Sequence, residues 1–226
     1  MTTKVKFCGL KTPEAVRLAA ELGAWKIGFI FFPKSPRNVR VAEAEELGRL
    51  ARELGLETTA VTVNASESDL AEIVSTVKPD LLQFHGSETP DHVAAMKARF
   101  DRPAMKAFSI REASDLDAVE SYRGVADYML FDAKAPKGSE LPGGNGVSFD
   151  WSLLGGLASE LDYVLSGGLT VDNIGRALTE TGAGFVDVSS GIESAPGIKD
   201  PAKMRAFAAA VSHHDEMQAM TRESVA

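Results

Sequence analysis

Eight short apolar runs alternate with eight helix-like segments, and this order predicts a single α/β domain built as a (β/α)8 TIM barrel. The runs are rich in Val, Ile, Leu and Phe and mostly lack polar alternation, as expected of parallel strands buried on both faces. The 226 residues suit one such barrel. A doubly wound open sheet is the structural alternative, but eight regular units without a long insertion favour a closed barrel.

The strand and helix candidates follow one another in strict order. The predicted strands are 4–8, 26–31, 58–63, 81–84, 104–108, 128–132, 163–166 and 185–188. The predicted helices are one opened by Thr12-Pro13-Glu14, then 41–54, 66–77, 90–98, 114–122, 150–158, 170–181 and 201–212. The barrel is therefore assigned to residues 1–212, and the polar segment 213–226 is expected to be a frayed C-terminal tail.

Composition and charge argue against several classes of protein. A net charge of −8 disfavours a general nucleic-acid surface, although a small basic site could still bind an anionic metabolite. No apolar run approaches the length of a membrane span, and the first strand begins too early to leave room for a signal peptide. A single cysteine excludes an internal disulfide and suits a reducing compartment, so we expect a cytoplasmic protein.

Two glycine-bearing segments near the C-terminus predict a phosphate site. Residues 165–170 read LSGGLT and residues 186–191 read VDVSSG, and each closes a strand candidate. Small residues let backbone N–H groups approach an anion closely, and the loops after the last two strands are where TIM barrels commonly hold phosphate. Simple turns are the alternative interpretation.

The ends of the other strands carry a thiol, a carboxylic acid and a cation. The residues and loops at these ends are Cys8, the loop 32–37, Gln83, His85, Asp132 and the loop 143–146. The Gly-rich loop does not complete a dinucleotide or P-loop motif, so no cofactor is expected. The strand ends offer no catalytic lysine beyond Lys106, which we take as the only candidate inside a strand, and no His and Asp set with metal-ligand spacing. We therefore expect no metal.

Seven segments, in order, resemble phosphoribosylanthranilate isomerase. They are KFCGL (6–10), GFIFFPKSPR (28–37), QFHG (83–86), LFD (130–132), GGNG with FDW (143–151), SGGL (166–169) and VDVSSGIE (186–193). The strings FFPKSPR and DVSSGIE are the most specific, and the matches extend from residue 4 to about residue 210. That family performs an Amadori rearrangement of N-(5-phosphoribosyl)anthranilate to 1-(2-carboxyphenylamino)-1-deoxyribulose 5-phosphate in tryptophan biosynthesis.

The resemblance implies that Cys8 is the general base and Asp132 the general acid. The chemistry independently requires one group that protonates the ring oxygen and another that takes the proton from C2′. A free thiol has a pKa of about 8.5, so we expect a nearby cation or backbone N–H groups to lower the pKa of Cys8. Asp132 has to carry a proton, which requires burial or a second negative charge.

Substrate contacts are expected from further residues. Arg37 matches the anthranilate carboxylate as a planar fork, and Asp187 is expected near the sugar hydroxyls or the amine. Gln83 and His85 are expected to line the pocket. The expected phosphate-binding positions are Gly144, Gly146, Gly167, Gly168, Ser190 and Gly191. The loop 134–146 has the composition of a segment that closes over substrate.

Two other functions remain open from the sequence. One is another phosphate-binding barrel isomerase or epimerase, such as a ribulose-phosphate epimerase, or an indole-glycerol-phosphate synthase. The other is a phosphosugar-binding module that has lost catalysis, which the presence of both Cys8 and Asp132 disfavours. The expected partner is a small phosphosugar, with neither nucleic acid nor membrane, and the expected assembly is a monomer or homodimer.

Overall fold

Eight parallel strands close into a barrel whose strand order follows the chain. The computed structural model describes residues 2–134, 143–144, 146–155, 157–159 and 161–225. The strands are β1 (Lys4–Cys8), β2 (Lys26–Phe31), β3 (Glu57–Thr62), β4 (Leu81–Phe84), β5 (Ala104–Ile110), β6 (Tyr128–Ala133), β7 (Tyr163–Leu165) and β8 (Phe185–Val188). β8 returns to β1, with Lys4 opposite Phe185. The predicted TIM barrel, rather than an open sheet, is confirmed.

In the described residues, six α-helices cover the outside of the barrel. They are α1 (Pro13–Glu21), α2 (Val41–Glu53), α3 (Glu67–Val77), α4 (Pro90–Phe100), α5 (Ile174–Thr181) and α6 (Pro201–Val225). The hydroxyl groups of Thr12, Ser66 and Thr89 accept hydrogen bonds from backbone N–H groups in the first turns of α1, α3 and α4 and thereby fix where these helices begin. Within the described ranges, no helix is both long and apolar enough to cross a membrane.

The predicted helices 114–122 and 150–158 are 3₁₀ helices rather than α-helices where the structure describes them. The 3₁₀ segments are Ala113–Tyr122, Trp151–Leu154 and Leu157–Ser159. In the first, Asp115 accepts hydrogen bonds from the backbone N–H groups of Arg111 and Glu112, a contact that fixes where this helix begins. In the second region, Gly155 ends the turn that Trp151 begins.

The last predicted helix, 201–212, is too short. α6 continues to Val225, so most of the predicted tail is helical. The Asp215 carboxylate accepts hydrogen bonds of 2.7 Å from both the backbone N–H and the hydroxyl of Thr3 and so ties α6 to the start of the chain. A short hairpin of β9 (Glu193–Ala195) and β10 (Ile198–Lys199), absent from the predicted series, precedes α6.

The core has an inner and an outer layer. The outer layer packs the helices against strand residues such as Phe7, Phe84 and Phe131. The inner layer fills the barrel with Leu81, Met105, Ala107, Leu130 and Val164, against which Trp25, Tyr128 and Phe185 also pack. This apolar filling leaves the carboxyl ends of the strands for polar side chains, as is usual for the site-bearing face of such barrels.

Candidate active site

A cavity of about 680 Å³ opens at the carboxyl ends of the barrel strands. Most of the residues predicted for the site line it. They are Cys8, Arg37, Gln83, His85, Asp132, Gly144, Gly167, Gly168, Asp187 and Ser190. Ile30, Val61 and Val63 add an apolar wall, which suits an aromatic ring. In the described part of the chain, Gly146 and Gly191 lie outside the set of cavity-lining residues.

Cys8 ends β1 and is 4% exposed, with its thiol beside a buried ion pair. The Lys6 Nζ donates a hydrogen bond of 2.8 Å to Asp187 Oδ1, and the Ser166 hydroxyl donates one of 3.3 Å to Asp187 Oδ2. Both oxygens of the carboxylate predicted to face substrate thus already have protein partners. Gly28 makes room for this cluster, because a Cβ there would lie 2.8 Å from Cys8 Sγ and 3.1 Å from Lys6 Nζ.

We expect Gly28→Ala to impair catalysis without unfolding the protein. The added methyl group collides with the thiol of Cys8, the residue that the sequence predicts to be the base. Displacing a reacting group by about 1 Å can cost up to about 100-fold in rate. Steady-state kinetics and thermal unfolding measure the two effects separately. Gly184→Ala is the matched control, because nothing lies within 4 Å of a Cβ at Gly184. A Gly28→Ala enzyme with wild-type kcat would show that the thiol position is not critical.

Burial raises the pKa of the Cys8 thiol above its ordinary value. The ammonium groups of Lys6 and Lys199 act in the opposite direction, while the Asp187 carboxylate adds to the rise. The expected cations are therefore present, but the expectation that they lower the pKa overall is wrong for the unliganded chain because desolvation of the thiolate outweighs them.

Asp132 ends β6 on the same cavity and is 3% exposed. Its Oδ1 accepts a hydrogen bond of 2.9 Å from the backbone N–H of Ala133. Gln83 Nε2 lies 3.0 Å from His85 Nδ1, and His85 Nε2 lies 3.2 Å from Asp132 Oδ2. The two predicted pocket residues thus form a hydrogen-bonded chain that ends on the carboxyl group and fixes its orientation. Gly143 packs directly on Asp132 and His85.

Arg37 is buried, and Glu193 holds one edge of its guanidinium group. Arg37 Nε and Nη2 each donate a hydrogen bond of 2.8 Å to the Glu193 carboxylate, and Lys199 Nζ donates a third of 2.8 Å. Burial opposes ionisation of Glu193, but these cations hold its pKa below the ordinary value. Arg37 Nη1 points toward Gly144 at the cavity rim. The guanidinium group is thus held rigidly with its other edge toward the cavity.

The predicted phosphate loops require glycine at different positions for different structural reasons. Gly167 and Gly168 adopt φ values of +88° and +62°, and a Cβ at Gly168 would lie 2.5 Å from the Val147 carbonyl. A Cβ at Gly191 would lie 1.9 Å from the Leu169 carbonyl oxygen, so only glycine fits at this position. The loops after β7 and β8 therefore pack tightly together. Asn145 and most of the loop 134–146 lie outside the described residues.

The sequence analysis missed Lys6, Lys199 and Glu193. Lys6 is two residues before Cys8 in a strand, so the two side chains share a face, and that spacing could have revealed it. Lys106 was wrongly taken as the only lysine inside a strand. It contacts Glu88 and backbone carbonyls instead of lining the cavity, so it braces the loop after β4.

Comparisons with known proteins agree with this geometry. A family model described as N-(5'-phosphoribosyl)anthranilate (PRA) isomerase matches residues 5–210. The isomerase of Brucella canis is 57% identical over 212 residues, which cover 94% of this chain and 95% of the relative. The crystal structure of phosphoribosylanthranilate isomerase from Thermotoga maritima is 29% identical with a TM-score of 0.84, covering 94% of this chain and 100% of that one.

A further structure of such an isomerase contains reduced 1-(o-carboxyphenylamino)-1-deoxyribulose 5-phosphate. It is 27% identical with a TM-score of 0.80 and covers 94% of this chain and 100% of that one. The family match spans most of the chain, and the close relatives carry the same name throughout. The chain therefore belongs to the phosphoribosylanthranilate isomerase family, the aldose–ketose isomerases of tryptophan biosynthesis.

Proposed function

We propose that Cys8 is the general base and Asp132 the general acid of this isomerisation. The observation that supports the assignment is that both side chains, from β1 and β6, line one cavity at the same end of the barrel. Both are buried, so a bound sugar between them would react away from water. The proposed substrate is N-(5-phosphoribosyl)anthranilate, as for the family.

Proton transfers of the proposed mechanism balance within the site. Asp132 gives its proton to the ring oxygen and the C1′–O bond breaks. The anthranilate nitrogen and C1′ then form the double bond of a cationic Schiff base. The Cys8 thiolate then removes the proton from C2′, and the electron pair moves to the nitrogen to give the enolamine. The enolamine tautomerises to the ketone by losing the proton of the 2′-hydroxyl group and gaining one at C1′. Cys8 and Asp132 return to their starting states by exchanging the proton through solvent.

In this proposal, other residues around the cavity bind the substrate. The free edge of Arg37 binds the anthranilate carboxylate, and the backbone of Gly144, Gly146, Gly167, Gly168, Ser190 and Gly191 binds the phosphate. Gln83 Oε1 has no hydrogen-bond partner among the described residues although the side chain is buried, so it is available to a substrate hydroxyl. Asp187 borders the cavity beside Cys8, close to where the sugar would lie. No cofactor or metal takes part in these steps.

Arg37→Lys is expected to raise KM by roughly 10-fold to 100-fold with a smaller change in kcat. A lysine keeps the charge but loses the fork, and a charged hydrogen bond contributes about 1.5–3 kcal/mol. Lys34→Met is the control, because Lys34 is an exposed cation of the same loop, and its KM should stay at the wild-type value. An Arg37→Lys enzyme with unchanged KM but low kcat would assign Arg37 to the chemistry instead.

Loss of phosphoribosylanthranilate fluorescence with the purified chain tests the activity itself. Turnover above the buffer rate supports the proposal. A rate equal to buffer would reject catalysis, and binding of the reduced product analogue under those conditions would identify a phosphosugar-binding module. The same analogue, found in the 27% identical relative, is the probe for the cavity.

We also propose that the enzyme works in the cytoplasm as a monomer or a homodimer. Its single cysteine has to stay reduced to act as a base, which favours a reducing compartment. One similar structure is described as mutually generated monomers of the dimeric isomerase from Thermotoga maritima. It is 30% identical with a TM-score of 0.79 and covers 94% of this chain and 100% of that one. Sedimentation velocity at several concentrations distinguishes the two assemblies.

A further inference from the structure

We propose that Lys6 is a positioning residue for the reaction: its ammonium group, anchored by Asp187, is the counter-ion that holds the Cys8 thiolate at the cavity. This inference rests on the proposed role of Cys8 as the base. Lys6 Nζ and Cys8 Sγ both lie over Gly28: a Cβ at Gly28 would be 3.1 Å from Lys6 Nζ and 2.8 Å from Cys8 Sγ. The charge of the Lys6 ammonium group favours ionisation of the Cys8 thiol, and Asp187 Oδ1 holds that ammonium group at 2.8 Å.

Lys6 acts through Cys8 because it does not reach the cavity itself. The residue is 0% exposed, and among the described residues it is absent from the cavity lining, whereas Cys8 and Asp187 belong to it. A lysine without solvent contact is costly to keep charged unless acidic groups surround it. Burial alone lowers its pKa, but Asp187 and Cys8 together raise the pKa of Lys6 above the ordinary value. Lys6 therefore stays protonated when the thiol ionises.

The charges around the thiol leave room for one more anion. Two separate ion-pair sets lie near the thiol: Lys6 pairs with Asp187, and Lys199 and Arg37 both pair with Glu193. These five groups together carry one positive charge in excess, and Lys6 and Lys199 both act on the thiol in the direction that favours its ionisation. Desolvation of Cys8 is thus partly offset by a permanent arrangement of charge that costs no reorganisation during the reaction.

The two members of the buried ion pair affect the thiol in opposite directions. Lys6 lowers the pKa of Cys8, and Asp187 raises it. Replacing either partner breaks the same ion pair, but a direct effect on the thiol predicts shifts of its pKa in opposite directions. The other titratable or charged groups that face the thiol or the cavity are Lys199, Glu193, Arg37, His85 and Asp132.

The pH titration of the Cys8 thiolate, read by its ultraviolet absorbance, tests the proposal directly. Cys8 is the only cysteine of the chain, so the signal belongs to one group, and the Cys8→Ala protein supplies the tyrosine baseline. Lys6→Met is expected to move the thiol pKa upward by at least about one unit, and Asp187→Asn to move it downward. The rate of iodoacetamide alkylation against pH is the second readout, and kcat of Lys6→Met should recover partly at high pH.

Lys106→Met is the matched control, because it breaks another buried strand lysine pair, with Glu88, away from the cavity. Its thiol titration should equal that of the wild type. If Lys6→Met does not fold, Lys6→Met/Asp187→Asn replaces the whole pair with neutral groups and should still raise the thiol pKa, by less than the single change. An unchanged or lowered thiol pKa in the folded Lys6 variant overturns the proposal. The assignment of Cys8 as base is tested separately, by the activity of Cys8→Ala.

Discussion

Cys8→Ala is expected to lower kcat by about 10²–10⁴-fold while KM changes little. General base catalysis contributes roughly this factor, and no second thiol exists to replace the lost group. Because Cys8 is small and 4% exposed, alanine fills nearly the same space and should leave the barrel folded. Steady-state kinetics, together with the affinity for the reduced product analogue, separate loss of chemistry from loss of binding.

Cys8→Ser sharpens this test. Serine keeps the size and the hydrogen-bonding capacity of the side chain, but its hydroxyl group ionises far less readily than a thiol. We therefore expect the serine enzyme to be nearly as inactive as the alanine enzyme, with analogue affinity close to wild type in both. A kcat within about tenfold of wild type in Cys8→Ala would remove Cys8 from the role of base, since general base catalysis contributes at least about 10².

The barrel could be predicted because local signals agree with the global fold. Four strands were predicted with the bounds that the structure has, namely 4–8, 26–31, 81–84 and 185–188. Their apolar runs are typical of parallel strands that are covered on both faces. Where local signals are weak, the type of helix could not be predicted. The segment Ala113–Tyr122 carries Ser and Asp among its apolar residues, and it forms 3₁₀ helix.

Some residues of the candidate site could likewise be predicted from the sequence, and others could not. Cys8 and Asp132 could be predicted because a (β/α)8 barrel directs the ends of its strands to one face. Glu193 and Lys199 could not be, because they lie in a hairpin after β8, and only folding brings them to Arg37. The net direction of the Cys8 pKa also depends on packing, since the sequence shows which cations are near but not how thoroughly the thiol is desolvated.

Asp132→Asn is expected to reduce kcat by about 10²–10⁴-fold, again with little change in KM. Asparagine has the same shape and still accepts the hydrogen bond that the Ala133 N–H donates to Oδ1, but it cannot deliver a proton to the ring oxygen. Asp117→Asn is the control, because Asp117 is exposed and remote from the cavity, and its kinetics should match the wild type. Near-normal kcat in Asp132→Asn would contradict its role as the acid.

An isotope effect separates the roles of the two groups. Ring opening precedes removal of the C2′ proton, so a slow acid step hides the effect of deuterium at C2′, whereas a slow base step exposes it. With substrate deuterated at C2′, Asp132→Asn should therefore show an effect near unity and Cys8→Ser a large one. The reverse pattern would exchange the assignments: Asp132 would then be the group that removes the carbon-bound proton, and Cys8 the group that assists ring opening.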